Sequence, residues 1–348
     1  MKSKRKASES MSQTTAEISY VGVDVHERKS QIAIFEPGGK ILYETRIETK
    51  DLPKFIGSIR GEKHVAIESI GFIYPIYDKL KALPMCHVKV ANPSRVQLIA
   101  KSKTKNDVID AKVLGDLLRT NYLPTSWIPE DDETRQKRLI VRDRVKYGVR
   151  KAGIKGTIRW LLKRKGIEVV GPFSIAGRNK LRSLGLFEIE SRLEELSLIE
   201  SMIKKLDGTI VKLVSTDKNA KLLDTLPGIA PYTALFLSSH VGDVNRFPDS
   251  RHMCADLGLV PMIHQTGDTK VLGHITKTGN KWLRRNLVEC ARTAIKKDKR
   301  LRKFYLKLRR KRGEKKALIA VARKLVSYAF WMLKRNITYE ELNPWNQS

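Results

Sequence analysis

The chain has 348 residues, enough for two or three domains, with 41% hydrophobic residues to build cores. Its 68 Lys+Arg against 37 Asp+Glu give a formal charge of +31, which points to a polyanionic partner, nucleic acid first. No long uncharged apolar run supports a membrane span, since the best candidate, residues 317–333, is interrupted by Arg323 and Lys324. Cys86, Cys254 and Cys290 are far apart and form no CxxC pair, so neither a zinc ribbon nor a disulfide framework is expected, and a reducing cytoplasm is the expected location.

Residues 1–17 are basic and Ser-rich without an apolar segment, and read as a disordered arm. Residues 20–25 are a β-branched strand carrying Asp24. Residues 30–35 and 40–47 flank Pro37-Gly38-Gly39 and read as a hairpin. A helix follows to about residue 59, with Asp51 as its expected N-cap. Residues 64–68 form a strand ending in Glu68, 74–83 a helix and 87–90 another strand, with helices from residue 94 and over 107–120. Three strands in a meander followed by strands with crossover helices is the ribonuclease-H-like (RuvC-like) α/β order, placed at residues 18–130.

Asp107 and Asp110 are three apart, on one helix face. With Asp24 and Glu68 they would repel unless cations neutralise them, and two Mg²⁺ ions would do so while clamping a phosphodiester. Taken singly, Glu68 reads equally as a strand-end carboxylate, Asp107 as an N-cap and Asp110 as a partner of the helix dipole. Lys103 and Lys105, just before the two aspartates, are candidate phosphate contacts.

Residues 131–220 read as a helical spacer, a hairpin of coiled-coil type. Over 134–165 basic residues including Arg142, Arg150 and Arg159 dominate around an apolar stripe, and this helix is expected to bind nucleic acid. A second helix, over 179–215, has mixed charge. Residues 221–348 read as a mainly α domain. Leu226-Pro227-Gly228-Ile229 resembles a helix-hairpin-helix turn, in which Gly228 would bring backbone N–H groups to a phosphate, and reads alternatively as an ordinary helix–helix corner. Glycines 258, 267, 273 and 279 mark a turning loop with hydroxyls beside Lys270, Lys277, Arg284 and Arg285. An amphipathic helix from Trp282, a basic tail over 296–316 and a closing helix over 317–333 complete the chain.

The Val-Gly-Val-Asp-Val-His start, the Ala-Ile-Glu-Ser strand, the segment Lys-Asn-Asp-Val-Ile-Asp-Ala-Lys and the block from Gly-Leu-Val-Pro to Gly-Asn-Lys-Trp-Leu-Arg-Arg together resemble the DEDD transposases of insertion sequences, the Piv-like, bridge-RNA-guided recombinases, over about residues 18–335. The resemblance implies a DNA transposase with catalytic Asp24, Glu68, Asp107 and Asp110 as Mg²⁺ ligands. It also implies a hydroxyl in the C-terminal transposase domain that forms a covalent phosphoester with DNA. The implied partners are donor and target DNA, a structured guide RNA and further copies of the chain, as a homodimer or homotetramer, in a prokaryotic cytoplasm at the nucleoid. The family has Ser before the loop glycine; this chain has Gln265-Thr266-Gly267, which makes Thr266 the expected nucleophile with an extra methyl crowding it, beside two other readings, a neighbouring hydroxyl in its place or a chain that binds DNA and recombines poorly. Two alternatives share parts of this pattern: a metal-dependent nuclease or Holliday-junction resolvase using water, and a nucleic-acid-binding protein without catalysis.

Overall fold

The computed structural model describes residues 17–100, 107–266 and 269–342. It divides into two compact units, Met1–Ile128 and Pro129–Ser348. The basic arm expected over residues 1–17 lies almost wholly outside the described residues.

The first unit is built on a five-stranded sheet. Strands β1 (Ile18–Asp24), β2 (Lys29–Phe35) and β3 (Ile41–Glu48) form the expected meander, turned at Gly39 with φ 96°. A 3₁₀ turn, Thr49–Asp51, runs directly into α1 (Leu52–Gly57). Asp51 therefore already has helical backbone angles (φ −88°, ψ −7°) and makes no side-chain cap hydrogen bond, which corrects its expected capping role. The unit continues with β4 (Glu62–Glu68), α2 (Ile73–Lys81), β5 (Cys86–Ala91), α3 (Pro93–Ala100) and α4 (Asp107–Arg119). Spatial order is β3-β2-β1-β4-β5, with β1–β4 and β4–β5 parallel.

Parallel strands are normally covered on both faces. Leu52 and Ile56 of α1 and Ile73, Tyr77 and Leu80 of α2 cover one face, against Val21, Val23, Ile32, Val65 and Ile67. The other face has small residues at its centre, and α4 lies on it through Ala111, Leu114 and Leu118 against Ala33, Ala66 and Ala91. The approach is at backbone level. A Cβ on Gly22 would collide with the Ala111 carbonyl and the Gly115 amide, and one on Gly115 would stand 2.5 Å from the Phe35 ring.

In the second unit, Asp131 caps α5 (Asp132–Arg164) by accepting from the Thr134 amide at 2.6 Å. The helix expected over 179–215 is two, α6 (Ile175–Ser183) and α7 (Phe187–Thr216), because Gly185 between them takes φ +59°. Ile154, Ile158 and Leu162 of α5 pack on Leu193, Leu196 and Ile199 of α7 and on Leu181 of α6. Ion pairs Lys165–Glu188, Arg150–Glu195, Arg144–Asp207 and Lys137–Asp217 rise along one helix as they fall along the other, so α5 and α7 run antiparallel.

Short helices α8 (Lys218–Asp224), α9 (Pro231–Val241) and α10 (Ser250–Asp256) follow. The glycine-marked loop is instead an antiparallel hairpin, β6 (Pro261–Thr266) and β7 (Thr269–Ile275). Next come α11 (Lys281–Lys297), α12 (Lys299–Arg312), α13 (Glu314–Arg335) and α14 (Tyr339–Leu342). The expected basic tail is thus mostly a helix, held by buried Leu301 and Tyr305. The core gathers around α13, whose Leu325, Val326, Ala329 and Met332 are fully buried. No helix among the described residues is long and apolar enough to cross a membrane.

Two outcomes follow from these contacts. Gly22→Val should destabilise the first unit by about 3 kcal/mol through overpacking, whereas Gly71→Ala, with open space around its Cα, should not; thermal unfolding of the two variants checks this. Within the helical hairpin, the Arg178 guanidinium grips Glu200 with two 2.9 Å hydrogen bonds, and with Lys151 it holds the carboxyl down from 4.5 to about 2. A depressed carboxyl pKa stabilises the fold above the unfolded value, and this is lost as pH falls from 4.5 towards about 2. Glu200→Gln should lower the unfolding midpoint at pH 7, and the gap to the parent should close over that acid window.

Candidate functional site

The four acidic candidates all belong to the first unit. Val23 pairs with Ile67 in the parallel β1–β4 ladder, so Asp24 and Glu68, one residue further on, stand side by side at the same strand end. Asp24 shares the strand face of Gly22, and Glu68 that of Ala66, by the two-residue period. Gly22 and Ala66 meet α4, so both carboxylates are on the α4 face.

The direction of α4 follows from its contacts. Arg119 at its C-terminus donates to the Pro37 carbonyl at 3.2 Å, just past β2, and Ala111 and Gly115 meet Gly22. The helix therefore runs antiparallel to β1 and begins near the end that carries Asp24. Asp107 and Asp110 precede the sheet-facing Ala111 and Leu114 by four residues each, one helical turn. The close contact of Gly22 with α4 thus sets the first turn of the helix towards the strand end bearing Asp24 and Glu68.

Asp24 is 4% exposed, and His26 Nε2 stands 3.1 Å from its Oδ2. Asp110 is half-buried, and the Asp107 side chain lies outside the described residues. Carboxylate oxygens are the hard ligands that Mg²⁺ or Ca²⁺ takes, so the donor set fits a divalent cation in kind. Among the described residues, however, no three His, Cys, Asp or Glu side chains gather closely enough to hold a metal ion. Asp24 and Glu68 share a strand end and a face, and the described residues show no closure of carboxylates around one point.

The second unit carries Thr266, the last residue of β6, in register with Thr269 across the two intervening positions. The side chains of Thr266 and Lys270 lie outside the described residues, as do Lys103 and Lys105. At the base of the hairpin, Arg284 Nη1 donates to the carbonyls of Leu257 at 3.0 Å and Thr278 at 2.6 Å, so this guanidinium fastens loop to helix. Lys277 is exposed at φ 55°, and Arg285 is exposed on α11. Gly228 takes φ +84° in a turn closed by the Ile229 amide on the Leu226 carbonyl at 3.0 Å, and a Cβ there would strike the Cys290 carbonyl of α11. Arg142 is exposed, Arg150 pairs with Glu195, and Arg159 lies 4.9 Å over the Phe173 ring.

Sequence reasoning passed over two groups. His26 was visible only as part of a motif, and its contact with Asp24 depends on the bend after β1. His64 and His87 stack at 5.0 Å and both reach Glu62, because β4 and β5 pair them in register; nothing in the one-dimensional pattern reports that neighbourhood.

Residues 21–165 match a transposase family model of the DEDD IS110 type, and residues 220–306 match the Transposase IS116/IS110/IS902 family. The chain is 25% identical over 344 residues to the transposase for insertion sequence element IS1111A of Coxiella burnetii, spanning 93% of this chain and 92% of that protein. It is 26% identical over 289 residues to the transposase for insertion sequence element IS1328 of Yersinia enterocolitica, spanning 80% and 85%. A probable family 20 transposase of Pseudomonas aeruginosa is 32% identical over 151 residues, 42% of this chain and 44% of that protein. The mixed sheet, its acidic strand end and these matches define a DEDD transposase, an enzyme that cleaves and rejoins DNA. Together the two matched stretches and these relatives place the chain among the DEDD transposases of insertion sequences. The DEDD domain type has the ribonuclease-H-like fold and works with divalent metal ions.

Removing the Arg284 clamp should loosen the hairpin base. Arg284→Ala is expected to speed proteolysis between β6 and β7 relative to the parent, with the helical cores intact by circular dichroism.

Proposed function

We propose that this transposase exchanges DNA strands through a covalent protein–DNA phosphoester, with the first unit supplying the acidic metal site and the second the nucleophile. The reading is carried by one observation: Asp24 and Glu68 end adjacent parallel strands on the face from which α4 presents its first turn. Asp24, Glu68, Asp107 and Asp110 are the residues that would hold Mg²⁺, and the bound ion supplies Lewis-acid stabilisation of charge on the scissile phosphate. The Thr266 hydroxyl oxygen attacks the phosphorus and its proton leaves to solvent or a neighbouring base. The P–O3′ bond breaks, the 3′ oxygen takes up a proton, and the 5′-phosphate remains on Thr266. Attack by the 3′-hydroxyl of a partner strand reverses the step, which conserves bond energy across the exchange. The extra methyl of threonine, compared with serine, restricts χ1 and slows the attack. The family resemblance adds a structured guide RNA and assembly as a homodimer or homotetramer.

Asp24→Ala is expected to abolish cleavage of a labelled donor duplex while leaving DNA binding nearly unchanged; normal cleavage would remove the carboxylate from the chemistry. Thr266→Ala should eliminate the protein-linked strand on a denaturing gel, and Thr266→Ser should retain or raise it. An undiminished adduct in the alanine variant would move the nucleophile elsewhere. Adduct formation should require Mg²⁺ and stop on chelation. Hydrolysed ends without an adduct would favour a water-using nuclease.

A further inference from the structure

Helices α5 and α12 are both strongly basic in sequence, but their surroundings differ. On α5 the cations meet partners from α7: Arg144–Asp207 at 2.7 Å, Lys151–Glu200 at 3.0 Å and Arg150–Glu195 at 3.3 Å. Arg138 donates instead to the Ser239 and His240 carbonyls. Much of the charge that made α5 look like a nucleic-acid helix is therefore neutralised within the hairpin.

The sequence of α12, KRLRKFYLKLRRKR, contains no acid. Leu301 and Tyr305 are buried, with Phe304 and Leu308 packed beside them, so one side is anchored in the core. Asp298 caps the helix, accepting from the amides of Arg300 at 2.9 Å and Leu301 at 2.8 Å, and also accepts from the Tyr339 hydroxyl at 2.8 Å. The opposite side is exposed. Lys303, Lys307 and Arg310 follow one another at four and three residues, which puts them in one line along the helix. None of the three forms an ion pair among the described residues. Like charges at this spacing destabilise a helix by a few tenths of a kcal/mol per pair, so the fold gains nothing from the pattern. A helix of 14 residues is about 21 Å long, over which a DNA duplex presents a charge about every 1.7 Å of axis.

We propose that the outer face of α12 binds the sugar–phosphate backbone of duplex DNA without reading sequence, with Lys303, Lys307 and Arg310 as its contact line. The choice of DNA among polyanions rests on the transposase reading, but the surface is defined by charge left uncompensated on a rigid, anchored helix. Base-edge readout is not implied, because cations on a backbone contribute affinity and salt dependence and leave register to other contacts.

The test is fluorescence anisotropy with a labelled, mixed-sequence DNA duplex and the full chain, in chelator so that no cleavage occurs, across a salt series. The triple variant Lys303→Gln, Lys307→Gln, Arg310→Gln should flatten the slope of log affinity against log salt by about 2–3, since each phosphate contact contributes about 0.9. Lys151→Gln, which removes an already paired cation, should leave the slope in place. An unchanged slope and affinity in the natively folded triple variant would overturn the proposal, as would an equal loss in Lys151→Gln. Weakened binding of a structured RNA hairpin with unchanged DNA binding would overturn it in favour of RNA. If the triple variant fails to fold, Lys307→Gln alone should reduce the slope by about 0.9, and no change there would be equally decisive. Because binding is read without chemistry, a missing adduct would count against the strand-exchange reading and leave this one standing.

Discussion

The acidic end of the first unit depends on two glycines meeting. Gly22 on β1 and Gly115 on α4 let a helix lie against a strand at backbone distance, closer than any side chain would permit. That contact, with Phe35 closing over Gly115 and Arg119 tied to the Pro37 carbonyl, fixes how far along the strand the helix begins. The parallel register of β1 and β4 then brings Glu68 level with Asp24. A carboxylate as buried as Asp24 is tolerated only where something compensates its charge. His26 Nε2, 3.1 Å from Asp24 Oδ2, is one partner of this carboxylate.

In the second unit the governing effect is charge compensation between helices distant in sequence. Two basic helices have different electrostatic surroundings because α5 meets acidic partners on α7, whereas α12 presents Lys303, Lys307 and Arg310 without an ion pair among the described residues. Arg150 and Glu195 are 45 residues apart, and their proximity comes from the antiparallel packing of α5 on α7. Net charge of the chain therefore overstates the basic surface of the hairpin and understates the concentration of positive charge on α12. Long-range attraction of DNA follows the summed field, whereas the lasting contacts follow the unpaired cations.

The strands of the first unit were legible because β-branched runs, a Pro-Gly-Gly turn and apolar helices between them leave few alternatives. Their meander-then-crossover order was legible for the same reason. The errors have separate causes. The β6–β7 hairpin was hidden because its glycines and hydroxyls read as loop, while cross-strand pairing such as Thr266 with Thr269 is a property of two segments together. Helix α12 was hidden because lysines and arginines crowd the buried Leu301 and Tyr305 stripe. Asp51 failed as a cap because it is itself the last residue of a 3₁₀ turn and its backbone is already helical.

From the order of residues alone came the elements of the first unit, the placement of Asp24 and Glu68 on strands and of Asp107 and Asp110 on one helical turn, and the family resemblance, since local periodicity and motif spacing are one-dimensional properties. Only the folded chain decided which carboxylates share an end and a face, which cations are neutralised and which remain open to a phosphate. Those outcomes depend on register, on helix direction and on the packing of segments tens of residues apart, and the strength of a charge is set by what stands next to it in space.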